Sequence, residues 1–253
     1  MKSLKRNATV LLLSTTALTA CGGDGSGAPT PTQASSPGGI WMGTDSSTGM
    51  QVTALIAESG QMQLIRSDKA QLFGAITISS GNTISASIDG IAPFGGSFPD
   101  GSIHGTGKIT GTLSARSSIQ ATITFTTDSG ESTTSSVSLT FQSSYLTQPN
   151  VSSLSGSYTD SATGPTVTID SGGALFAQDS SSGCVINGQI NVVQGNYNLW
   201  AASVYYANCR GSSAALNGLQ FSGFVSQTGN TVLIGLEDNS DKHYGLVFSM
   251  TKS

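Results

Sequence analysis

The chain has 253 residues, which is enough for one large domain or two small ones. Charged residues make up only 9% of it, against about 25% in an average soluble protein, and 32 residues are glycine. This composition excludes a long helical bundle, and the formal charge of −4 without a basic stripe argues against nucleic-acid binding. A polar chain with few charges, many glycines and scattered Val, Ile and Thr is typical of secreted all-β proteins.

The N-terminal segment has the pattern of a secretory signal peptide. Lys2, Lys5 and Arg6 form a positive region, and residues 8 to 17 are apolar or small and carry no charge. This run is too short for a transmembrane helix, which needs about 20 residues. It ends in the sequence Leu18-Thr19-Ala20-Cys21.

That final sequence resembles the lipobox of bacterial lipoproteins. The resemblance implies cleavage before Cys21, acylation of its thiol and its new amine, and a lipid (palmitate) anchor in the membrane. An ordinary signal peptide with a chance cysteine is the alternative. Gly22 follows the cysteine, whereas the inner-membrane retention signal of enteric bacteria has an aspartate there, so the outer membrane is the expected location. The sequence leaves open whether the periplasmic or the surface face carries the protein.

The composition after Cys21 predicts a flexible tether followed by two β repeats. Residues 21 to 37 are rich in Gly, Ser, Thr, Pro and Ala, as in flexible linkers. The cleaved chain retains seven cations and 14 anions, and its net charge of −7 disfavours electrostatic binding to anionic lipids. The predicted division is a signal peptide (1–20), a tether (21–37), a first repeat (38–145) and a second repeat (152–253).

Short strands separated by Gly, Asn, Asp and Ser turns fill both repeats. Apolar and polar residues alternate, as in 122–126 and 244–248, which places one face of each strand in a core. The halves align with each other in a constant order. The aligned segments include 39–43 with 154–158, 73–78 with 187–192, and 107–113 with 218–224. We therefore predict an all-β fold with two tandem antiparallel units of about eight strands each, as small barrels or sandwiches. Loose self-alignment of a glycine-punctuated β sequence is the alternative.

Cys184 and Cys209 are expected to form a disulfide bond. Cys184 lies 12 residues before Asn196, and Cys209 lies 13 residues after it. The Gly195-Asn196 pair is a predicted turn between two strands. Antiparallel pairing brings the cysteines nearly opposite each other, and an oxidising envelope favours a bridge between the remaining cysteines. Two free thiols or a metal pair are the alternatives.

The sequence predicts no catalytic residue, metal ligand or cofactor. It lacks the His-Glu-x-x-His and Gly-x-Ser-x-Gly motifs, and its two histidines, His104 and His243, fall in different halves. The three glutamates, Glu58, Glu131 and Glu237, are all predicted to lie in turns, which leaves no buried acid–base pair.

Aromatic residues provide the only candidate binding groups. Trp200, Tyr205 and Tyr206 suit core packing or, alternatively, a face that binds sugars or peptides. Phe94 and Phe98 lie in a segment, residues 93 to 99, that the second repeat lacks, and they are predicted to be exposed for a partner contact. The phenylalanines of the second repeat are predicted to lie in its core: Phe176, Phe221, Phe224 and Phe248.

These observations favour a membrane-anchored, non-enzymatic binding or assembly module with a protein partner in the cell envelope. The alternatives are a lipocalin-like carrier of a small apolar ligand and an inhibitor or immunity lipoprotein. A barrel cavity of several hundred cubic ångströms favours the carrier, whereas filled cores favour protein binding. The second half, with its predicted bridge and more large apolar groups, is expected to fold alone and to be the more stable half.

Overall fold

The computed structural model describes residues 36 to 160 and 165 to 253. Its strands form two closed antiparallel barrels in tandem, which confirms the predicted fold class. From residue 36 onward the chain belongs to one compact unit. The predicted signal peptide and the lipidation site Cys21 lie outside the described residues.

The first barrel is an up-and-down ring of eight strands with one short addition. Its strands are β1 (Gly39–Asp45), β2 (Gln51–Ile56), β3 (Gln61–Arg66), β4 (Gln71–Ala75), β5 (Thr77–Ile78), β6 (Thr83–Ile91), β7 (His104–Ser114), β8 (Ser118–Thr127) and β9 (Ser132–Phe141). Strand β4 pairs with β6, and β9 pairs with β1, which closes the ring. The short β5 pairs with β6 beyond the end of β4.

The second barrel repeats this strand order. Its strands are β10 (Gly156–Asp160), β11 (Val167–Ile169), β12 (Ala174–Gln178), β13 (Val185–Val192), β14 (Trp200–Ala207), β15 (Gln220–Thr228), β16 (Thr231–Asp238) and β17 (Gly245–Lys252). Strand β17 pairs with β10 and closes the ring. The aligned segments 107–113 and 218–224 fall on or beside the corresponding strands β7 and β15, so the order found in the sequence is also the order of the strands.

Inward-facing apolar side chains fill both barrels. Trp41 is fully buried in the first core, and Trp200 and Phe221 are fully buried in the second. The cavity inside the first barrel measures about 40 Å³ and the one inside the second about 20 Å³. Small-molecule sites measure about 300–1,000 Å³, so neither cavity has room for an apolar ligand.

The connection between the barrels is fixed to both of them. Arg116, in the β7–β8 turn, donates to the Gly38 carbonyl and pairs with Glu58 at 2.5 Å. Its guanidinium lies 5.1 Å from the ring centroids of both Tyr145, in the connection, and Tyr197, in the second barrel. The two tyrosine rings stack at 4.8 Å. This cluster attaches the start of the first barrel, the connection and the second barrel to one another.

Two buried glutamines on the outer face of the first barrel contact the backbone of the second. Gln63 on β3 and Gln71 on β4 are 1% and 0% exposed. The Phe224 amide donates to Gln63 Oε1 at 2.8 Å. Gln71 Nε2 donates to the Leu236 and Leu246 carbonyls at 3.2 and 3.3 Å. Gln63 Nε2 also donates to Gln71 Oε1 at 2.7 Å, so the pair forms one hydrogen-bonded network.

The glutamines fill a break in the second barrel. The β15–β16 register is interrupted between the pairs Ser222–Glu237 and Val225–Ile234, and both glutamines bond to backbone groups in or beside this break. Glycine at position 235 allows the approach, because a Cβ there would lie 2.4 Å from Gln63 Nε2. The buried amides therefore compensate backbone groups that the interrupted ladder does not pair.

Apolar side chains complete the contact between the barrels. They form a cluster on the outer faces of β1, β2 and β3 and of β15, β16 and β17. Its members include Ile40, Leu55 and Ile65 from the first barrel and Phe224, Leu233 and Val247 from the second. The sequence pattern predicts Phe224 in the core of its own barrel. It instead faces outward and packs between the barrels.

Candidate ligand groove between the barrels

A groove of about 500 Å³ runs along one flank of the contact between the barrels. Its lining comes from β1, β2 and β3 of the first barrel and from β15, β16 and β17 of the second. The apolar lining residues are Ile40, Met42, Ile65, Leu233 and Val247. Ser and Thr hydroxyls from both barrels supply most of the remaining surface. Its volume falls in the range of small-molecule sites, which neither barrel interior does.

Strand register places these side chains side by side. In the first barrel, Met42 pairs with Thr53, which pairs with Ile65. In the second barrel, Leu233 lies between Ser226 and Ser249. Because alternate residues of a strand point to opposite faces, both rows point outward from their own barrels and toward the groove. Two outer sheet faces therefore form a single concave surface.

The β3–β4 turn brings positive charge to this groove. Lys69 lines the groove, and no carboxylate occurs among the described residues of its lining. Arg66 also borders the groove, but it shares the inward face of β3 with Leu64 and lines the cavity inside the first barrel as well. Arg66 Nη2 pairs with Asp68 Oδ2 at 2.6 Å, and its buried Nε has no hydrogen-bond partner in the described part of the chain. Lys69 is exposed and has a positive φ of 69°. The turn as a whole carries a net charge of +1.

Glu237 lines a second cleft between the barrels, of about 260 Å³. Burial, together with the negative charges of Asp89 and Asp238, raises the pKa of Glu237 to about 7. The sequence predicts a turn at this glutamate, but it lies within β16 (Thr231–Asp238). The prediction was wrong because Asp238-Asn239-Ser240 is the actual turn signal, and the strand continues up to it.

The two histidines meet across the contact between the barrels. The His104 and His243 rings stack with centroids 3.8 Å apart. His104 Nδ1 lies 3.0 Å from Asp128 Oδ1, and its Nε2 lies 3.8 Å from Asp89 Oδ1. No group of three His, Cys, Asp or Glu side chains suited to a metal ion occurs among the described residues. The stacked rings connect the two barrels, and the bond to Asp128 orients His104 within the first barrel.

The predicted disulfide bond is confirmed. Cys184 and Cys209 are joined with an S–S distance of 2.09 Å and a Cα–Cα distance of 4.0 Å. They flank β13 and β14, which pair along their whole length on either side of the predicted turn.

The predicted aromatic binding face is only partly exposed. Trp200 and Tyr206 are 0% and 4% exposed and belong to the second core, so they are not available to a ligand. Tyr205 is 47% exposed, because its neighbours Val204 and Tyr206 point into the barrel and it points outward. Phe176 was predicted in the core but is 48% exposed and shares an outer row with Asn187 and Tyr205. The prediction for Phe176 was wrong because Leu175 and Ala177, not Phe176, occupy the inward face of β12.

The segment around Phe94 and Phe98 lies at the surface, but both rings are partly buried against other parts of the molecule. The Phe94 amide donates to the Gly245 carbonyl at 2.8 Å, and its ring meets Tyr244 edge-on at 5.0 Å. The Phe98 ring meets Phe125 edge-on at 5.2 Å. The prediction that both rings are exposed was therefore wrong. The insertion instead joins the first barrel to the second.

Hydrogen bonds also fix the far end of this insertion. Side-chain hydrogen bonds from Ser129 and Thr127 lower the pKa of Asp100 to about 2. The Ser102 amide donates to the same carboxylate at 3.0 Å. The insertion is thus attached to the β8–β9 turn as well as to the second barrel.

Gln63, Gln71, Arg66 and Lys69 are not among the residues predicted from the sequence. The sequence does contain a signal for Gln63. In the run Met62-Gln63-Leu64-Ile65, apolar residues occur on both faces of the strand, which indicates a strand that is covered on both sides. Arg66 and Lys69 give no such signal, since they look like ordinary turn residues. Within the described residues, no helix has the length and hydrophobicity that a membrane crossing requires. Comparisons of the chain with protein-family models, curated proteins and solved structures return no match.

Proposed function

We propose that this protein is a membrane-anchored, non-enzymatic binding module whose ligand or partner occupies the groove between the barrels. The observation that carries the proposal is the contrast in volume between the groove, at about 500 Å³, and the barrel interiors, at about 40 and 20 Å³. Binding at the outer surface needs no opening of either barrel. The non-enzymatic part of the proposal rests on the sequence, which lacks a catalytic motif.

The alternatives predicted from the sequence receive less support. A lipocalin-like carrier holds its ligand inside the barrel, and both interiors are filled by side chains such as Trp41 and Trp200. A carrier of this kind has to use the groove instead. An inhibitor or immunity protein that presents residues 93 to 99 has to release Phe94 from Tyr244 and Gly245. The groove-binding proposal requires neither rearrangement.

The anchor is part of the proposal and has its own test. Cys21→Ala removes the acceptor of the acyl chains that the lipobox resemblance implies. Several acyl chains hold a protein almost permanently on a membrane, at about 0.8 kcal/mol for each buried methylene. We expect the variant to leave the membrane fraction and to keep the same circular dichroism spectrum. A variant that stays with the membrane contradicts the anchor assignment.

The groove is tested by site-specific photocrosslinking in intact cell envelopes. A photoreactive amino acid replaces Met42, which is 44% exposed in the groove, or Thr124, which is exposed on the outer face of β8. We expect an adduct from position 42 and none from position 124. Thr53→Trp, which fills the groove beside Met42, should abolish the adduct. Equal adducts from both positions, or an adduct that Thr53→Trp leaves unchanged, contradict the proposal.

A further inference from the structure

We infer that the groove binds a single-chain amphiphile with one negative charge, of the chemical class of a fatty acid or a lysolipid. The inference rests on the proposed function and names the ligand class of the same groove. Its two parts, an apolar chain and a monovalent anionic group, correspond to two distinct parts of the lining.

The apolar chain is accommodated by the floor of the groove. Ile40, Ile65 and Val247 are buried there, and Leu233 is partly buried. Met42 is one of the few large apolar side chains that stay strongly exposed, at 44%. Methionine is flexible and adapts to ligands of variable shape. An acyl chain laid on this floor covers Met42 and extends the apolar cluster between the barrels, which removes apolar surface from water.

The anionic group follows from the charges. From residue 36 onward the chain has seven Lys and Arg residues and 13 Asp and Glu residues, yet Lys69 lines the groove and none of the carboxylates does. In an acidic protein this is a local reversal of sign. It favours an anion at the β3–β4 turn and disfavours a cationic ligand.

The charge of the ligand is limited to about one. Asp68 already pairs with Arg66 at 2.6 Å, so Lys69 supplies the uncompensated positive charge. A carboxylate or a phosphodiester matches this single charge, whereas a phosphate dianion does not. The volume of about 500 Å³ similarly fits one acyl chain within the range of small-molecule sites.

The test measures binding to the full-length protein by native mass spectrometry in a non-ionic detergent. The probes are palmitate, lysophosphatidylglycerol and hexadecanol, which share a long chain and differ in their head groups. We expect one bound molecule per chain and at least tenfold tighter binding of an anionic probe than of hexadecanol. The tighter of the two anions identifies a free fatty acid or a membrane lysolipid as the source.

Two variants separate the charge from the chain. Lys69→Asn removes the uncompensated charge without strain, because asparagine tolerates a positive φ. We expect it to weaken anion binding at least tenfold and to leave hexadecanol unchanged. Met42→Gln should weaken all three probes. Lys108→Asn, an exposed cation on β7 outside this groove, is the matched control and should leave all three affinities unchanged.

Several outcomes overturn the inference. These are no binding of either anion, equal binding of hexadecanol, or equal losses in Lys69→Asn and Lys108→Asn. Crosslinking from position 42 without amphiphile binding means that the groove has another ligand and that the proposed function stands. Amphiphile binding that Met42→Gln and Thr53→Trp leave unchanged means that the molecule binds elsewhere, and the inference fails.

Discussion

Gln71 is completely buried and donates both of its amide hydrogens to carbonyls of the other barrel. Gln71→Leu keeps a side chain of similar size but leaves the Leu236 and Leu246 carbonyls and the Gln63 amide without this partner. A buried polar group left unpaired costs about 1–3 kcal/mol. We expect the variant to lose about 2–4 kcal/mol in its free energy of unfolding, measured by denaturant titration.

The matched control for this substitution is Gln61→Leu, which lies on the neighbouring strand β3 and is exposed. It should change the free energy of unfolding by less than about 0.5 kcal/mol, as surface substitutions usually do. If Gln71→Leu behaves like Gln61→Leu, the glutamine network does not hold the barrels together.

Glu237 should make stability depend on pH. Its pKa is about 7 in the folded protein, against 4.5 for an unperturbed glutamate, so the folded state binds the proton more tightly. Stability is therefore unaffected by this group below pH 4.5, falls as the pH rises from 4.5 to 7, and stays reduced above pH 7. We expect Glu237→Gln to raise the melting temperature at pH 8 by about 2–4 °C and to have no effect at pH 4.5.

The control is Glu131→Gln, at an exposed glutamate in the turn before β9. It should change the melting temperature by the same amount at pH 4.5 and at pH 8. Thermal melts of both variants at the two pH values decide the matter. An effect of Glu237→Gln that is equal at pH 4.5 and pH 8 rules out a protonation-linked role for this carboxyl.

At the level of strands, the disulfide bond closes the hairpin formed by β13 and β14. The cysteines are 25 residues apart in sequence, and a bridge over a loop of this size stabilises a protein by about 3 kcal/mol. We expect the double variant Cys184→Ala and Cys209→Ala to unfold at a correspondingly lower denaturant concentration. A reductant should destabilise the natural protein and not the double variant. Equal sensitivity of the two proteins to the reductant contradicts this role.

Alternation along the strands predicted the fold class well and the burial of individual residues less well. Residues 122–126 and 244–248 lie on or overlap strands β8 and β17, as their alternation indicates. Phe176 and Phe224 were misplaced because both faces of an alternating strand carry large groups here. Period-two patterns identify a strand, but they do not show which face turns inward when both faces carry large apolar groups, whether the outer one is exposed, as at Phe176, or packs against the other barrel, as at Phe224.

The whole molecule is expected to unfold in one transition. The hydrogen bonds of Gln63 and Gln71 to the second barrel and the stacked histidines cross between the barrels. The Tyr145–Tyr197 pair fixes the connection to the second barrel, and separating the barrels breaks the crossing contacts together. Calorimetry of the intact chain should therefore give a single peak. Gln71→Leu should broaden or split it, with the first barrel unfolding earlier because it lacks a disulfide bond. Two separate peaks in the natural protein contradict this coupling.

The second repeat remains expected to fold alone, at reduced stability. Residues 152 to 253 contain all eight strands of the second barrel and its disulfide bond, but the isolated fragment exposes the apolar groups that the first barrel covers, including Phe224 and Leu233. Circular dichroism of this fragment should show a β spectrum and a melting temperature below that of the intact chain. A disordered fragment contradicts the expectation.

The candidate groove was beyond prediction from the sequence for a geometric reason. No single segment encodes it, because Met42 and Leu233 are almost 200 positions apart and meet only when two finished barrels pack. Lys69 and Arg66 form a normal polar turn in the sequence, and their role depends on what lies opposite. The sequence predicts each barrel, whereas the groove depends on how the outer faces fit.

The interrupted β15–β16 ladder also bears on the evolution of the chain. Two units with the same strand order are in principle interchangeable, and tandem copies often diverge or recombine as separate modules. Here the second unit carries a gap in its own sheet that only Gln63 and Gln71 of the first unit fill, and glycine at position 235 leaves the space they need. A gene in which a copy of one unit replaced the other would lose either the two glutamines or the interrupted ladder that they fill. The effect of a substitution at these positions in one unit therefore depends on the residues that meet it in the other unit.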